Sequence, residues 1–282
     1  MAGITLESRS DVAETLFIPL YVRAMEAQRS DALVKDAKSV ELVNQMDYDF
    51  SQIKLRAHDQ VGIILRLLEF DRHVREYMVR HPDAVVVHIG CGLDTRFERV
   101  DNRRVDWYDL DLPEVIALRQ KLIAKTPRCH LVGCSVFDSS WMDTVSVHKQ
   151  RSFLFLAEGV FPYFEEIQVK SLVLTLLERF PGSELVCDAM TPFGVWVHNL
   201  ELTFSKIKAR LHWGLKHAKD LEKWVNGISL LDAWFYFDRP ERRLGTAQWM
   251  RHIPPLAKAT GIFHYKLGTS GLEKAAEVAE RI

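Results

Sequence analysis

The stretch AVVVHIGCGLDTRFERVDNRRVDWYDLDLP, residues 84–113, decides the fold. Residues 84–89 are a continuous apolar, β-branched run interrupted only by His88, the pattern of a strand buried on both faces in a parallel sheet. Gly90-Cys91-Gly92 ends it in a turn where absent Cβ atoms let backbone and ligand come close. A second strand-like run, residues 104–110, finishes among Asp109 and Asp111. Asp111 lies about 20 residues past the first glycine, where nucleotide-binding α/β units set a carboxylate on ribose hydroxyls.

A dinucleotide fingerprint needs a third glycine three residues after the second, so that helix and strand pack closely. Thr95 holds that position here, between Asp94 and Arg96. NAD and FAD are therefore disfavoured, and a nucleoside ligand without a pyrophosphate fits better. S-adenosylmethionine is the commonest such ligand.

GCGLDTR, YDLDLPEVI and FLAEGVFPYF together resemble the class I methyltransferases of the leucine carboxyl methyltransferase family. Within it, the likeness is to the branch of tetracenomycin-type polyketide O-methyltransferases. ETLFIPLYVRAMEAQRSDALVKDAKSVELV near the start and HWGLKHAKDLEKWVNGISLLDAWFYFD near the end extend the resemblance over nearly the whole chain. It implies an α/β fold with a mostly parallel, seven-stranded Rossmann-like sheet and helices on both faces. It also implies a helical N-terminal cap over residues 1–83, an S-adenosylmethionine-binding core over 84–282, and a helical lid inserted at about 191–227.

Composition agrees with such a fold. The 282 residues are 48% hydrophobic and 27% charged, ordinary for a globular chain with a real core. With 37 basic and 38 acidic residues the net charge is −1, which leaves no electrostatic footprint for nucleic acid or an anionic membrane. No apolar run reaches the ~18–20 residues of a membrane span. Glu7, Asp11, Glu14 and Glu26 argue against a secretory signal in residues 1–30. Cys91, Cys129, Cys134 and Cys187 have no C-x-x-C spacing and read as buried thiols in a reducing cytoplasm.

In order, residues 12–27 read as a helix broken or kinked near Pro19, 31–46 as a second helix and 56–80 as a long third one stopped by Pro82. Strands are expected at 129–136, 153–158, 184–189, 228–237 and 263–267. Helices are expected at 113–124, 165–180 and 246–260, and helical composition at 272–282.

The resemblance assigns candidate roles. Gly90 and Gly92 contact the cofactor, Asp111 binds its ribose with Asp109 as the fallback, and Ser135 and Val136 stand where the family often carries Asp-Leu at the adenine. Arg56 matches an arginine that pairs with the cofactor carboxylate, a role suited to a bidentate guanidinium. Arg23 could add a second positive group, and Glu158 accepts from the methionyl ammonium. The Asp94-Thr95-Arg96 triplet shapes the cofactor loop. Asp111 and Asp138 also suit helix caps.

The eleven histidines show no H-E-x-x-H or comparable spacing, so no metal is expected. His88 reads as a satisfied core residue. Trp213, Trp224 and His198 are candidate acceptor contacts in the lid, with His212 and His217 as further possible bases; Trp234 and Tyr236 read equally well as core. The expected reaction is O-methylation of a hydroxyl or carboxyl on a small polyketide-like, acyl or aromatic molecule. The alternatives are a non-catalytic regulator that binds the cofactor or its demethylated product, and a protein carboxyl methyltransferase. A short-chain oxidoreductase would need Tyr-x-x-x-Lys, but Ile167 stands four residues after Tyr163.

Overall fold

The computed structural model describes residues 11–203 and 209–268. At its centre β1 (Val85–Ile89) lies parallel to β2 (Asp106–Asp111) on one side and β4 (Phe153–Ala157) on the other. The sheet continues through β3 (Cys129–Gly133), β5 (Ser183–Met190), β6 (Ile228–Phe235) and β7 (Thr260–Leu267), in the order β3-β2-β1-β4-β5-β7-β6. Only β7 runs antiparallel to its neighbours.

Every residue of β1 is buried because alternate side chains enter two different layers. Val85, Val87 and Ile89 pack with Trp141 and Met142 of α6 (Ser140–Val145) and Val169, Val173 and Leu176 of α7 (Glu166–Arg179). Val86 faces the other way, into Phe70, Val74 and Tyr77 of α3 (Ala57–Arg80) and Phe97 of α4 (Arg96–Val100). Burial on both faces explains the run of valines. The C-terminal half of α3 thus covers the sheet directly, although its sequence falls within the cap expected over residues 1–83.

α1 (Asp11–Ala27) and α2 (Ala37–Gln45) pack with α5 (Pro113–Leu122) through Phe17, Leu20, Leu42, Leu118 and Leu122. Two expectations are corrected in this region. α1 runs unbroken through Pro19, since burial of Phe17 and Leu20 on either side outweighs the lost backbone donor. α2 begins six residues later than expected, where the Asp36 side chain accepts from Ser39 N at 3.0 Å and caps it.

After β5 comes α8 (Pro192–Thr203), then, from residue 209, chain without regular secondary structure and a 3₁₀ turn over Ala218–Lys223. The helix expected over 246–260 is not formed. A 3₁₀ segment, Arg242–His252, bends at Gly245 (φ 57°), and only the short α9 (Pro254–Ala257) follows. The Pro254-Pro255 pair removes two donors that a longer helix would need. Residues 272–282, read as helical in composition, lie outside the described residues. Among the described residues no helix is long and apolar enough to cross a membrane.

Candidate functional site

The site forms at the carboxyl edge of the parallel strands, where open α/β sheets bind ligands. Gly90 and Gly92 leave β1 at φ 64° and 50°, a left-handed conformation that glycine adopts without strain. A Cβ at Gly90 would stand 2.4 Å from Val160 Cγ2, so the turn is crowded as well as bent. Gly92 N donates to Asp111 Oδ2 and Leu112 N to Asp111 Oδ1, each at 2.7 Å. Burial raises the Asp111 carboxyl, against the pull of these two N–H groups. Asp111 therefore holds the glycine turn from the tip of β2.

Asp109, the fallback for the ribose, points into the core. It is 1% exposed and sealed by Arg119, Trp107 Nε1 and Cys129 Sγ. Its work is indirect, because Arg119 also donates to the carbonyls of Gly92 (2.9 Å) and Asp94 (2.8 Å), supporting the turn from below. Arg23 reaches the same loop from α1, donating to Leu93 O at 2.7 Å and to Asp36 at 3.1 Å. Asp36 further accepts from Thr95 Oγ1 (2.6 Å) and Arg99 (3.1 Å), so the N-terminal helices are latched onto the Asp94-Thr95-Arg96 loop.

Arg96 lies at the centre of the network, 1% exposed. It meets Asp71 at 2.7 Å, Glu158 at 2.5 Å and Asp94 at 3.1 Å. Glu158 stands just past the end of β4 and takes a second guanidinium, Arg66 Nε at 2.9 Å. Burial alone would raise the Glu158 carboxyl, but Arg96 and Arg66 outweigh it and hold it below its ordinary value. Arg66 also donates to Asp188 at 3.1 Å, and Asp188 accepts from Gly159 N at 2.7 Å. Arg23, Arg66, Arg75, Arg96 and Arg99 thus face Asp36, Asp71, Asp94, Glu158 and Asp188, five charges of each sign.

Gly90, Gly92, Asp111 and Glu158 are therefore gathered at neighbouring strand tips. Ser135 is exposed two residues beyond β3, in a turn where its carbonyl accepts from Asp138 N, and Val136 O accepts from Trp141 Nε1. Arg56 is not brought to Glu158. More than half exposed, it stands at the start of α3 and pairs with Asp59 and Glu201, each at 2.8 Å. The guanidinia beside Glu158 are Arg96 and Arg66, the latter ten residues after Arg56, or about 15 Å along a helix. Trp213 is 3% exposed against Phe161, and the half-buried Trp224 packs on it from outside the core. His212 pairs with Glu165 on the surface, His217 caps the 3₁₀ turn, and His198 is half-buried on α8.

Sequence reasoning missed Arg66, Asp71, Asp188 and Arg119. Asp188 had a usable signal, a lone carboxylate inside the buried run LVCDAM. So did Asp71, next to Phe70 on the buried stripe of α3.

The leucine carboxyl methyltransferase family model matches residues 16–176. The chain belongs to the leucine carboxyl methyltransferase family. It is 31% identical to the tetracenomycin polyketide synthesis O-methyltransferase TcmP of Streptomyces glaucescens, over 90% of this chain and 96% of that one. It is 25% identical to the S-adenosyl-L-methionine-dependent methyltransferase dpfgK of Gibberella zeae, over 89% and 92%. Among solved structures, a DUF574 family protein from Streptomyces avermitilis shares the fold with a TM-score of 0.57 at 16% identity, covering 88% of this chain and 96% of that one. The family member described here is an S-adenosylmethionine-dependent methyltransferase.

Proposed function

We propose that this family member transfers the methyl group of S-adenosylmethionine to an oxygen, hydroxyl or carboxyl, of a small polyketide-like or aromatic acceptor. The observation that carries the reading is the placement of Asp111 and Glu158 at the tips of β2 and β4, flanking the glycine turn at the tip of β1. In this reading Asp111 accepts from the ribose hydroxyls, Ser135 and Val136 flank the adenine, and Glu158 accepts from the methionyl ammonium. Arg66, rather than Arg56, meets the cofactor carboxylate, and Arg23 supports the loop without touching the cofactor. The name of the Streptomyces glaucescens relative supports a polyketide-like acceptor. The free cysteines support a cytoplasmic setting.

Transfer is an in-line displacement in which the acceptor oxygen attacks the methyl carbon as the carbon–sulfur bond breaks, so the protein's main contribution is alignment. Glu158→Gln is expected to weaken S-adenosylhomocysteine binding about ten- to hundred-fold, the value of one charged hydrogen bond. Arg56→Ala is expected to bind nearly as the parent does. Calorimetry on both variants, with label transfer from methyl-tritiated S-adenosylmethionine to a panel of phenols and acids, tests the assignment. Normal binding by Glu158→Gln together with loss in Arg56→Ala would reverse it.

A further inference from the structure

One to two turns along α3 from Arg66, a second polar cluster joins this helix to the edge strand β6. Glu69 and His73 stand four residues apart on one face of the helix, and both are buried. The third member, Asp232, arrives through a β-bulge. Ile228 and Leu230 pack on one face of β6 and Ala233 and Phe235 on that same face, so the extra residue Leu231 reverses the alternation. Asp232 is thereby turned toward α3, the side on which Trp234 packs. Glu69 Oε1 lies 3.4 Å from His73 Nε2, which lies 3.8 Å from Asp232 Oδ2, and the three donors fall within 4.8 Å of one another. Donors about 2.1 Å from a tetrahedral zinc ion stand roughly 3.4 Å apart.

A cationic nitrogen already sits among these donors. Arg72 Nη2 is 2.5 Å from Glu69 Oε1, 2.8 Å from Asp232 Oδ2 and 3.2 Å from His73 Nε2, and Arg72 Nε donates to Glu69 at 2.9 Å. An arginine nitrogen only donates, so His73 Nε2 accepts and directs its lone pair inward, the form in which histidine binds a metal. The guanidinium is the replaceable part. It is 39% exposed, and its Nη1 pairs at 2.7 Å with the exposed Glu76, one turn along the helix. Swinging outward leaves it on Glu76 and frees all three donors. Histidine spacing could not reveal this set, because only one histidine takes part. We propose that Glu69, His73 and Asp232 form a zinc site that fastens β6 to α3, with Arg72 as its competitor. Two carboxylates and an imidazole suit Zn²⁺ over Mg²⁺, which prefers oxygen alone, and a fourth position stays open to water. A divalent ion neutralises both carboxylates, whereas Arg72 brings one charge and divides it with Glu76.

The test is calorimetric titration of zinc chloride, and separately of magnesium chloride, into the full chain after treatment with a chelator. The parent, Arg72→Met, His73→Leu and Asp232→Asn are compared. The parent should bind Zn²⁺ at this site and give no heat with Mg²⁺. Arg72→Met should bind zinc about tenfold tighter or more, since the competing charge is gone. Losing a direct ligand should cost at least as much as losing an outer-shell partner, so His73→Leu and Asp232→Asn should bind about a hundred-fold weaker or worse. Zinc should also raise the urea midpoint of the parent and leave that of Asp232→Asn in place. Asp232 is half-exposed, so this variant keeps the comparison if His73→Leu folds poorly. No zinc binding by the parent, equal affinity in all four proteins, or weaker binding in Arg72→Met would overturn the proposal.

Discussion

Replacing Arg96 with methionine should cost the fold about 3–5 kcal/mol, the effect of stripping a buried charge network of its cation. Arg96 is 1% exposed, and Asp71, Asp94 and Glu158 all lie within 3.1 Å of its guanidinium. Methionine fills much of the volume over the Phe70 ring, where the guanidinium carbon lies 5.4 Å from the centroid, so the loss is mainly electrostatic. Three carboxylates would be left to Arg66, Arg99 and the half-exposed Arg75. The expected result in urea is a lower midpoint with an unchanged slope. Adding Glu158→Gln to Arg96→Met should recover part of the loss, because the two residues are coupled. Arg104→Met, which breaks an exposed pair with Asp83, should leave the midpoint where it was. Similar midpoints for Arg96→Met and Arg104→Met would contradict this description of the network.

Mild acid should destabilise the protein from the opposite end of the sheet. There Glu184 is 2% exposed and accepts from Arg80 at 2.9 and 2.8 Å and from His264 at 2.7 Å. Burial would raise its carboxyl, but hydrogen bonds from Arg80 and His264 win and push it down to about 2. His73, 2% exposed, meets His264 edge-to-face at 4.9 Å between ring centroids. Burial first, then the positive charge of His264 and Arg72, push it down to about 3, despite Asp232 and Glu184 nearby.

Both folded values lie below those of the unfolded chain, so the unfolded chain binds the extra protons as pH falls. Their stabilisation is complete above the unfolded values and fades as pH drops toward the folded ones. His73 acts first, removing about 2 kcal/mol between pH 7 and pH 5. Glu184 adds about 2–3 kcal/mol between roughly pH 4.5 and pH 2, allowing for solvent screening of the partly exposed Arg80. Guanidinium midpoints at pH 7, 6 and 5 should decline in the parent and stay nearly level in His73→Leu, whatever that variant loses at pH 7. A parent with level midpoints over this range would show that His73 is not held neutral by its surroundings.

How much of this was legible in the sequence follows from what each residue touches. β1, the glycine turn and Asp111 were readable because a run of valines, two glycines and a carboxylate at a fixed distance are local signals. The family motifs likewise led to Glu158. Arg66 was not readable in this way. It lies mid-helix in VGIILRLLEF, and only the fold reveals that its face of α3 looks onto the tips of β4 and β5. Arg56 drew the reading instead because it stands at a helix start, where a solvated arginine and a ligand-binding one look alike. For Trp213 and Trp224 the sequence left two readings side by side, since aromatic residues in an irregular segment suggest a pocket lining equally with a core plug. Pro19 and the 246–260 segment went opposite ways. Packing carried α1 through its proline, whereas Gly245 and two consecutive prolines left the later segment in short turns.

The most direct measurement is a calorimetric titration of S-adenosylhomocysteine into the wild-type protein and into Asp111→Asn, with NADH as the comparison ligand. Cofactor bound across the tips of β1, β2 and β4 predicts one site per chain and no heat from NADH. It also predicts affinity about ten- to hundred-fold weaker in the variant, which keeps the shape at Gly92 but loses the charged acceptor for the ribose. Binding of NADH without S-adenosylhomocysteine, or identical affinity in the two proteins, would contradict it.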